Sequence, residues 1–318
     1  MDMDTGTTTT ATTTAATNAT AATEKAATEK AESGSMRREL GDREVFAIGL
    51  GAMPMSIRDQ TDEKRSIRTI HAALDAGVML IDTADAYSSG PDDIGHNERL
   101  VAKALATWSG DGSNVIVATK GGHLRAADGS WPVDGRPDHL REACEASLKA
   151  LGVEAIGLYQ FHRPDPQVPY AESVGTLRDL LDEGKIRMAG ISNASVAQIE
   201  EAARIVPLAS VQNEFSPAFR SSIEELSYCD RRGIAFLPWS PLGGMSHAGQ
   251  LGGRHEAFAQ IAEQHGVSPQ QVALAWELAK SPVVIPIPGA SRPETILDSV
   301  QAVRLTLNES ELALLDAE

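Results

Sequence analysis

Aromatic residues are scarce in this 318-residue chain, at 4%, and there are only two cysteines. The first shortage argues against a deep aromatic pocket. The second argues against a disulfide framework. Cys144 and Cys229 lie far apart, within segments that read as amphipathic helices. They suit ordinary thiols in a reducing cytoplasm better than a disulfide, a metal site or a nucleophile. Positive charge is outweighed as well: the net charge of −16 disfavours generic nucleic-acid binding and attraction to anionic membranes. No run approaches the apolar length of a transmembrane helix. Among the histidines other than His162, namely His71, His96, His123, His139, His247, His255 and His265, metal-ligand spacing is missing, so no metal is expected. The acidic pairs Asp62, Glu63 and Asp92, Asp93 read as helix starts and solvated loops.

Residues 1–35 contain no Leu, Ile, Val or Phe, and Thr and Ala supply 21 of the 35 positions. The pentapeptide AATEK occurs twice in tandem at 21–30. A segment with nothing to bury cannot offset its own ordering entropy. It also lacks the hydrophobic middle of a secretory signal. Two readings remain, a disordered tail or an upstream extension with translation starting at Met36, and the second is preferred because foldable sequence begins at once with MRRELG. Residues 36–318 are then one domain.

The texture changes after residue 37. A small hairpin is expected over 38–47 around Gly41-Asp42. Strand-like runs follow near 46–50, 78–82, 115–119, 156–161, 187–191, 209–212, 234–239 and 283–287. Helix-period segments lie between them at 62–76, 95–107, 137–151, 170–183, 195–205, 220–232, 268–280 and 293–303, with extra helices at 254–265 and 309–317. Continuously apolar strands in alternation with helices imply parallel strands buried on both faces. A doubly wound sheet is the competitor, but its dinucleotide form needs G-x-G-x-x-G after an early strand, and GLGAMPM (49–55) breaks that spacing. Eight repeats in roughly 250 residues predict a (β/α)8 TIM barrel with a short N-terminal hairpin.

Four apolar runs end abruptly on polar groups: IDTADAY (81–87), VATKGG (117–122), LYQFHRPDP (158–166) and GISN (190–193). In a barrel all strand C-termini open on one rim, so Asp82, Tyr87, Lys120 and His162, on successive βα units, can converge. Singly, each has a bland reading as a cap, a packed aromatic, a solvated lysine or a core histidine. Jointly they describe proton transfer. A lysine cation beside a phenol is expected to lower its pKa, an aspartate keeps the lysine charged and in place, and a histidine orients a substrate oxygen. Such machinery protonates a carbonyl oxygen while something else attacks the carbon. No side chain supplies hydride, so a reduced nicotinamide is implied.

Over residues 38–305 the sequence resembles the aldo-keto reductase superfamily, most specifically in D-T-A-x-x-Y at 82–87. The resemblance implies a catalytic tetrad of Asp82, Tyr87, Lys120 and His162 with Tyr87 as general acid. It implies NADPH, NADH not being excluded, lying extended across the rim. Nicotinamide contacts then fall on Ser192, Asn193 and Gln212, with Trp239 in LPWSPLGG (237–244) as the stacking aromatic. Ser240 and Leu242 line the pyrophosphate path, and Gly51, Ala52 and Met53 flank the cofactor. The last segment, IPIPGASRPETILDS (285–299), resembles the adenosine-phosphate segment and brings in Arg292 and Asp298. It departs from the family pattern, with Gly289 where many members place Lys, Thr295 where many place Arg, and Ser299 where Asn is frequent. That departure bears on the choice between NADPH and NADH.

A lysine Schiff-base aldolase is the rival from another enzyme class, and a nicotinamide-binding regulatory subunit is the non-enzymatic one. The first needs an unpaired, desolvated Lys120. A small-molecule carbonyl is the expected substrate, with small or polar compounds, including sugar-like or pyridoxal-like aldehydes, as candidates. The covering loops are 121–137, with Trp131 and two arginines, 163–170, and the Gly-rich 241–253, which is expected to be mobile. A cytoplasmic monomer or weak homo-oligomer is the expected form.

Overall fold

The computed structural model describes residues 1, 36–57 and 62–318. The expectation for residues 1–35 therefore falls, Met1 apart, outside the described residues. The chain opens with an antiparallel hairpin, β1 (Arg37–Leu40) and β2 (Arg43–Phe46), with Leu40 opposite Arg43. Gly41 makes its turn at φ 60°, and a Cβ there would come within 2.8 Å of the Met188 sulfur. Both the left-handed backbone and the close approach require glycine. Seven parallel strands follow in sequential order: β3 (Leu50–Gly51), β4 (Leu80–Asp82), β5 (Ile116–Gly121), β6 (Leu158–Phe161), β7 (Ala189–Ser192), β8 (Leu208–Gln212) and β9 (Ala235–Phe236). The helices between and after them are α1 (Glu63–Asp75), α2 (His96–Thr107), α3 (Pro137–Leu151), α4 (Tyr170–Asp182), α5 (Val196–Ile205), α6 (Ile223–Arg232), α7 (Leu251–Arg254), α8 (Glu256–His265), α9 (Pro269–Lys280), α10 (Pro293–Val300) and α11 (Glu309–Ala317).

Residues 283–289 take the eighth position and close the ring, though not as a regular strand. Bridges join Val284 to Phe236 and Gly289 to Gly51. Ile285 and Ile287 donate backbone N–H groups to Phe236 and Pro238, while the carbonyls of Pro286 and Pro288 accept from Gly49 and Gly51. On the β3 side Pro286 and Pro288 have no N–H to give and only accept, and donation to β3 comes from Ala290, whose N–H reaches the Gly51 carbonyl at 3.4 Å.

Three expected element boundaries need correction. The first barrel strand is two residues, not 46–50, because Phe46 is spent pairing with Arg37 in the hairpin. The helix expected at 220–232 begins at Ile223, and that expected at 293–303 tightens into a 3-10 turn at Gln301–Arg304. The 241–253 stretch holds a 3-10 turn, Ala248–Gln250, and the start of α7. Capping chemistry sets the helix ends. Asp62 accepts from the Arg65 N–H at the head of α1, Ser195 and Gln198 form a capping box on α5, and Gly152 ends α3 at φ 69°.

Leu40 and Val45 of the hairpin are fully buried in one apolar cluster with Leu80, Ile116, Leu158, Met188, Ala235 and Ile285. The hairpin therefore plugs the end of the barrel where the strands begin. Burying each of these two side chains contributes about 1.5–3 kcal/mol, and the plug leaves only the C-terminal rim open. Cys144 and Cys229 are buried free thiols whose pKa values burial pushes up to about 12. Among the described residues no helix is long and apolar enough to cross a membrane.

Candidate active site

The rim opens on a cavity of about 330 Å³. Asp82 is the last residue of β4, and the chain turns sharply after it. Ala84 and Ala86 are wholly buried and small enough for that turn. Thr83 donates from Oγ1 to Asn97 Oδ1 at 2.6 Å, and Asn97 Nδ2 donates to the Ala52 carbonyl at 2.9 Å. The Asn97 N–H in turn reaches the Tyr87 carbonyl at 3.3 Å, which ties the Tyr87 loop to α2. Lys120 comes from β5 just ahead of Gly121 and Gly122. A Cβ on Gly122, whose φ is 106°, would come within 2.9 Å of the Phe161 ring, so the chain can leave β5 here only with glycine. His162 follows β6, its N–H bonded to the Gly121 carbonyl at 2.9 Å.

The four side chains converge. Lys120 Nζ, fully buried, donates to Asp82 Oδ1 at 2.6 Å, to the Thr83 carbonyl at 2.8 Å and to Tyr87 Oη at 3.3 Å. The other Asp82 oxygen accepts from Gln212 Nε2 at 2.8 Å and Gln160 Nε2 at 3.4 Å. The buried charge pair is hydrogen-bonded at both ends, the condition under which such a pair is tolerated. An unpaired lysine, which Schiff-base chemistry needs, is not what the structure places here. The Tyr87 ring meets His162 edge-on at 5.7 Å between centroids.

Burial pushes the Tyr87 phenol above its usual 10, with the charges of Asp82 and Asp85 adding to it. The charge and hydrogen bond of Lys120 pull the other way without prevailing. The lowering expected from the lysine cation is present, but desolvation outweighs it and the phenol ends above its usual value. Burial also pulls the Lys120 ammonium down, but the charges and hydrogen bonds of Asp82 and Tyr87 outweigh it, and its pKa ends above the usual lysine value. His162 is held well below 6.5, first by burial and then by the charges of Lys120, His123 and Arg163. It is neutral at pH 7, and its buried Nδ1 has no hydrogen-bond partner.

Gly51, Met53, Ser192, Asn193, Gln212, Trp239, Ser240 and Leu242 all line the same cavity as Asp82, Tyr87 and His162. Ala52 does not line it; it is buried, and its backbone ties Asp82 and Asn97 together. Asn193 and Ser240 take left-handed backbone, φ 57° and 51°, strained for residues with a Cβ. Ser192 Oγ donates to the Gln212 carbonyl at 2.7 Å, and Asn193 Nδ2 to the His162 carbonyl at 3.0 Å. Trp239 Nε1 is buried and unpartnered. Arg292 and Asp298 lie away from this lining. Arg292 is exposed at the head of α10, and the Asp298 carboxylate accepts from Ser268 and Gln271 at 2.7 and 2.6 Å.

Other residues gain a defined place only in the structure. His123, taken for a loop histidine, packs edge-on against His162 at 4.3 Å and against Trp131 at 6.0 Å, and burial lowers its pKa. Trp131 also meets Tyr87 at 6.2 Å, with the Arg125 guanidinium 4.4 Å from the indole ring. Pro54, Met245 and Ala248 complete the wall. Gln160, wholly buried, was legible as the polar residue inside the apolar run LYQF. No cluster of His, Cys, Asp and Glu among the described residues is placed to hold a metal ion.

A family model for the aldo/keto reductase family matches residues 47–317. An uncharacterized oxidoreductase from Schizosaccharomyces pombe is 36% identical over 284 residues, 88% of this chain and 89% of the relative. Among solved structures, a glycerol dehydrogenase from Gluconobacter oxydans superposes with a TM-score of 0.76 at 29% identity, covering 89% of this chain and 94% of its own. An aldo/keto reductase from Klebsiella pneumoniae in complex with NADP and acetate gives 0.74 at 25% identity, covering 89% and 94%.

Proposed function

The chain belongs to the aldo/keto reductase family, and from that premise we propose that it reduces an aldehyde or ketone to an alcohol with NADPH, using Tyr87 as general acid. The observation that carries this is the Tyr87 hydroxyl on the cavity wall, 3.3 Å from a buried Lys120 that is itself fixed by Asp82. The solved structure of a relative with NADP adds support for the cofactor.

The residues present fit a nicotinamide. Trp239 offers a flat indole face and a buried N–H without a partner. Gln212 Nε2 is committed to Asp82, which leaves Oε1 as an acceptor, and Ser192 and Asn193 stand beside it. Ser240 and Leu242 would hold the pyrophosphate side, with Gly51 and Met53 opposite. Arg292 and Asp298 belong to the adenosine end. When bound, the reduced ring supplies hydride to the carbonyl carbon.

The chain's own residues handle the proton. Tyr87 Oη gives its proton to the carbonyl oxygen, and the phenolate left behind is stabilised by the Lys120 ammonium. Asp82 keeps that ammonium in place. His162, neutral, donates a hydrogen bond to the same oxygen and orients it without competing as an acid. A raised phenol pKa keeps the acid loaded at neutral pH.

The test is NADPH oxidation with 4-nitrobenzaldehyde, read at the nicotinamide absorbance. Wild type should turn over, and Tyr87→Phe should lose about 10² or more in kcat while NADPH affinity changes little. NADPH binding without turnover would point to a regulatory subunit, and borohydride trapping of the substrate on Lys120 to an aldolase.

A further inference from the structure

The ionisable groups around the cavity do not balance. Besides Tyr87, its lining holds Asp82, His123, His162 and Arg163. Asp82 is neutralised by Lys120. Both histidines titrate below their usual range and are uncharged at pH 7. That leaves the Arg163 guanidinium as the one lining charge without a counterion among the described residues.

Arg163 has five N–H donors and commits one contact, Nη2 to Asn193 Oδ1 at 3.2 Å, where the acceptor is neutral. Four other arginines in this acidic chain pair with carboxylates, Arg99 with Asp93, Arg136 with Asp134, Arg141 with Asp179 and Glu183, and Arg178 with Asp182, whereas Arg163, exposed at the cavity mouth, does not. Glu214 is close enough to feel Arg163, whose charge offsets part of the upward push of burial on its carboxyl, yet it forms no ion pair with it. The guanidinium is also positioned. It follows His162 directly, and its anchor Asn193 is held in a strained left-handed backbone by its bond to the His162 carbonyl.

We propose that Arg163 recognises a carboxylate on the substrate, so that the preferred carbonyl compounds are small aldehydo or keto acids. This deepens the reductase reading given above and rests on it. Fixed donors next to the histidine that orients the carbonyl suit bidentate capture of a planar anion. Trp131 and Met245 form the apolar wall against which the carbon body would lie. In a chain with net charge −16, a local cation is what lets an anionic substrate approach the site.

The test uses a matched pair, 4-carboxybenzaldehyde and 4-carbamoylbenzaldehyde, similar in shape and differing in charge. With NADPH and the full chain, wild type should favour the carboxylate in kcat/KM by about tenfold or more, the range for a hydrogen bond to a charged group. Arg163→Met should bring that ratio close to one, with the change in KM rather than kcat. Arg163→Lys should restore part of it, and the wild-type ratio should shrink as salt rises. A second measurement does not depend on turnover: 4-(hydroxymethyl)benzoate binding to the NADP-loaded protein, by calorimetry, in wild type and Arg163→Met. Turnover of both aldehydes without preference would overturn the assignment of Arg163 and leave the reductase reading standing. Arg163-dependent benzoate binding without turnover of either aldehyde would do the reverse. Loss of NADPH affinity in Arg163→Met equal to the loss of the carboxylate preference would assign Arg163 to the cofactor instead.

Discussion

Tyr87 and His162 are pushed in opposite directions by the same burial. The phenol moves above its ordinary 10 and the imidazole well below 6.5. Each is thereby kept uncharged across neutral pH, the state that proton donation by one and orientation by the other require. The sign follows for the rate. Carbonyl reduction needs the protonated phenol, so kcat/KM should stay level through neutral pH and fall only above about pH 10. At the acid end, activity should persist below 6.5, because His162 takes a proton only at lower pH. A descending limb centred near neutrality would contradict both assignments. Arg292 poses a different question of charge. It is exposed at the head of α10, outside the cavity lining, where a barrel commonly holds phosphate. If it reads a 2′-phosphate, Arg292→Ala should weaken NADPH binding by ~1.5–3 kcal/mol and leave NADH nearly untouched. Titrating both cofactors by fluorescence checks this, and equal losses for the two would remove Arg292 from the phosphate site.

The elements show where sequence reading succeeds and where it stops. Periodicity with capping chemistry located α3 at 137–151 to the residue, because Pro137 and Gly152 mark its ends with distinct backbone demands. Three of the four candidate catalytic side chains were legible because each interrupts an apolar run at a strand end, and Tyr87, on the loop after β4, through the D-T-A-x-x-Y motif. Arg163 and His123 were not, since a loop arginine or histidine carries no periodic signal and gains meaning only from what packs beside it. The closing segment 283–289 was placed correctly but read as a strand, because its apolar character is that of a buried strand while Pro286 and Pro288 have no N–H to give the ladder. The hairpin was found by its turn, yet nothing in the pattern said that it plugs the barrel. That role has a measurable consequence. Leu40 is wholly buried in the apolar cluster with Leu80, Ile116, Leu158, Met188 and Ala235, and Leu40→Ala should cost about 2–5 kcal/mol, visible as a lower urea midpoint with an unchanged slope. NADPH binding at the opposite rim should survive wherever the protein remains folded. A variant as stable as wild type would mean that the hairpin merely lies against the barrel.

At the scale of the whole molecule, buried titratable groups make stability depend on pH. Glu277, in the middle of α9, has no exposure, and neither carboxyl oxygen has a hydrogen-bond partner. Burial alone raises its pKa well above 4.5, so the folded protein keeps it as a neutral acid. Asp85 and Glu98 are raised in the same direction, chiefly by burial. The unfolded chain releases the Glu277 proton near 4.5, whereas the folded chain retains it to much higher pH. Between those values the unfolded state binds fewer protons, so each rising pH unit lowers stability by about 1.4 kcal/mol per such group. His123 and His162, with lowered pKa values, slope the other way. Their contribution is present above 6.5 and is lost as pH falls below it. The two trends oppose each other, and a substitution separates them. Glu277→Gln keeps size and neutrality but cannot ionise in the unfolded chain. Its melting temperature should match wild type at about pH 4 and exceed it by a margin that widens through pH 7. Calorimetric scans of both proteins across that range decide it. A margin that does not change with pH would show that Glu277 is already ionised in the folded protein, and that its partnerless burial has some other relief.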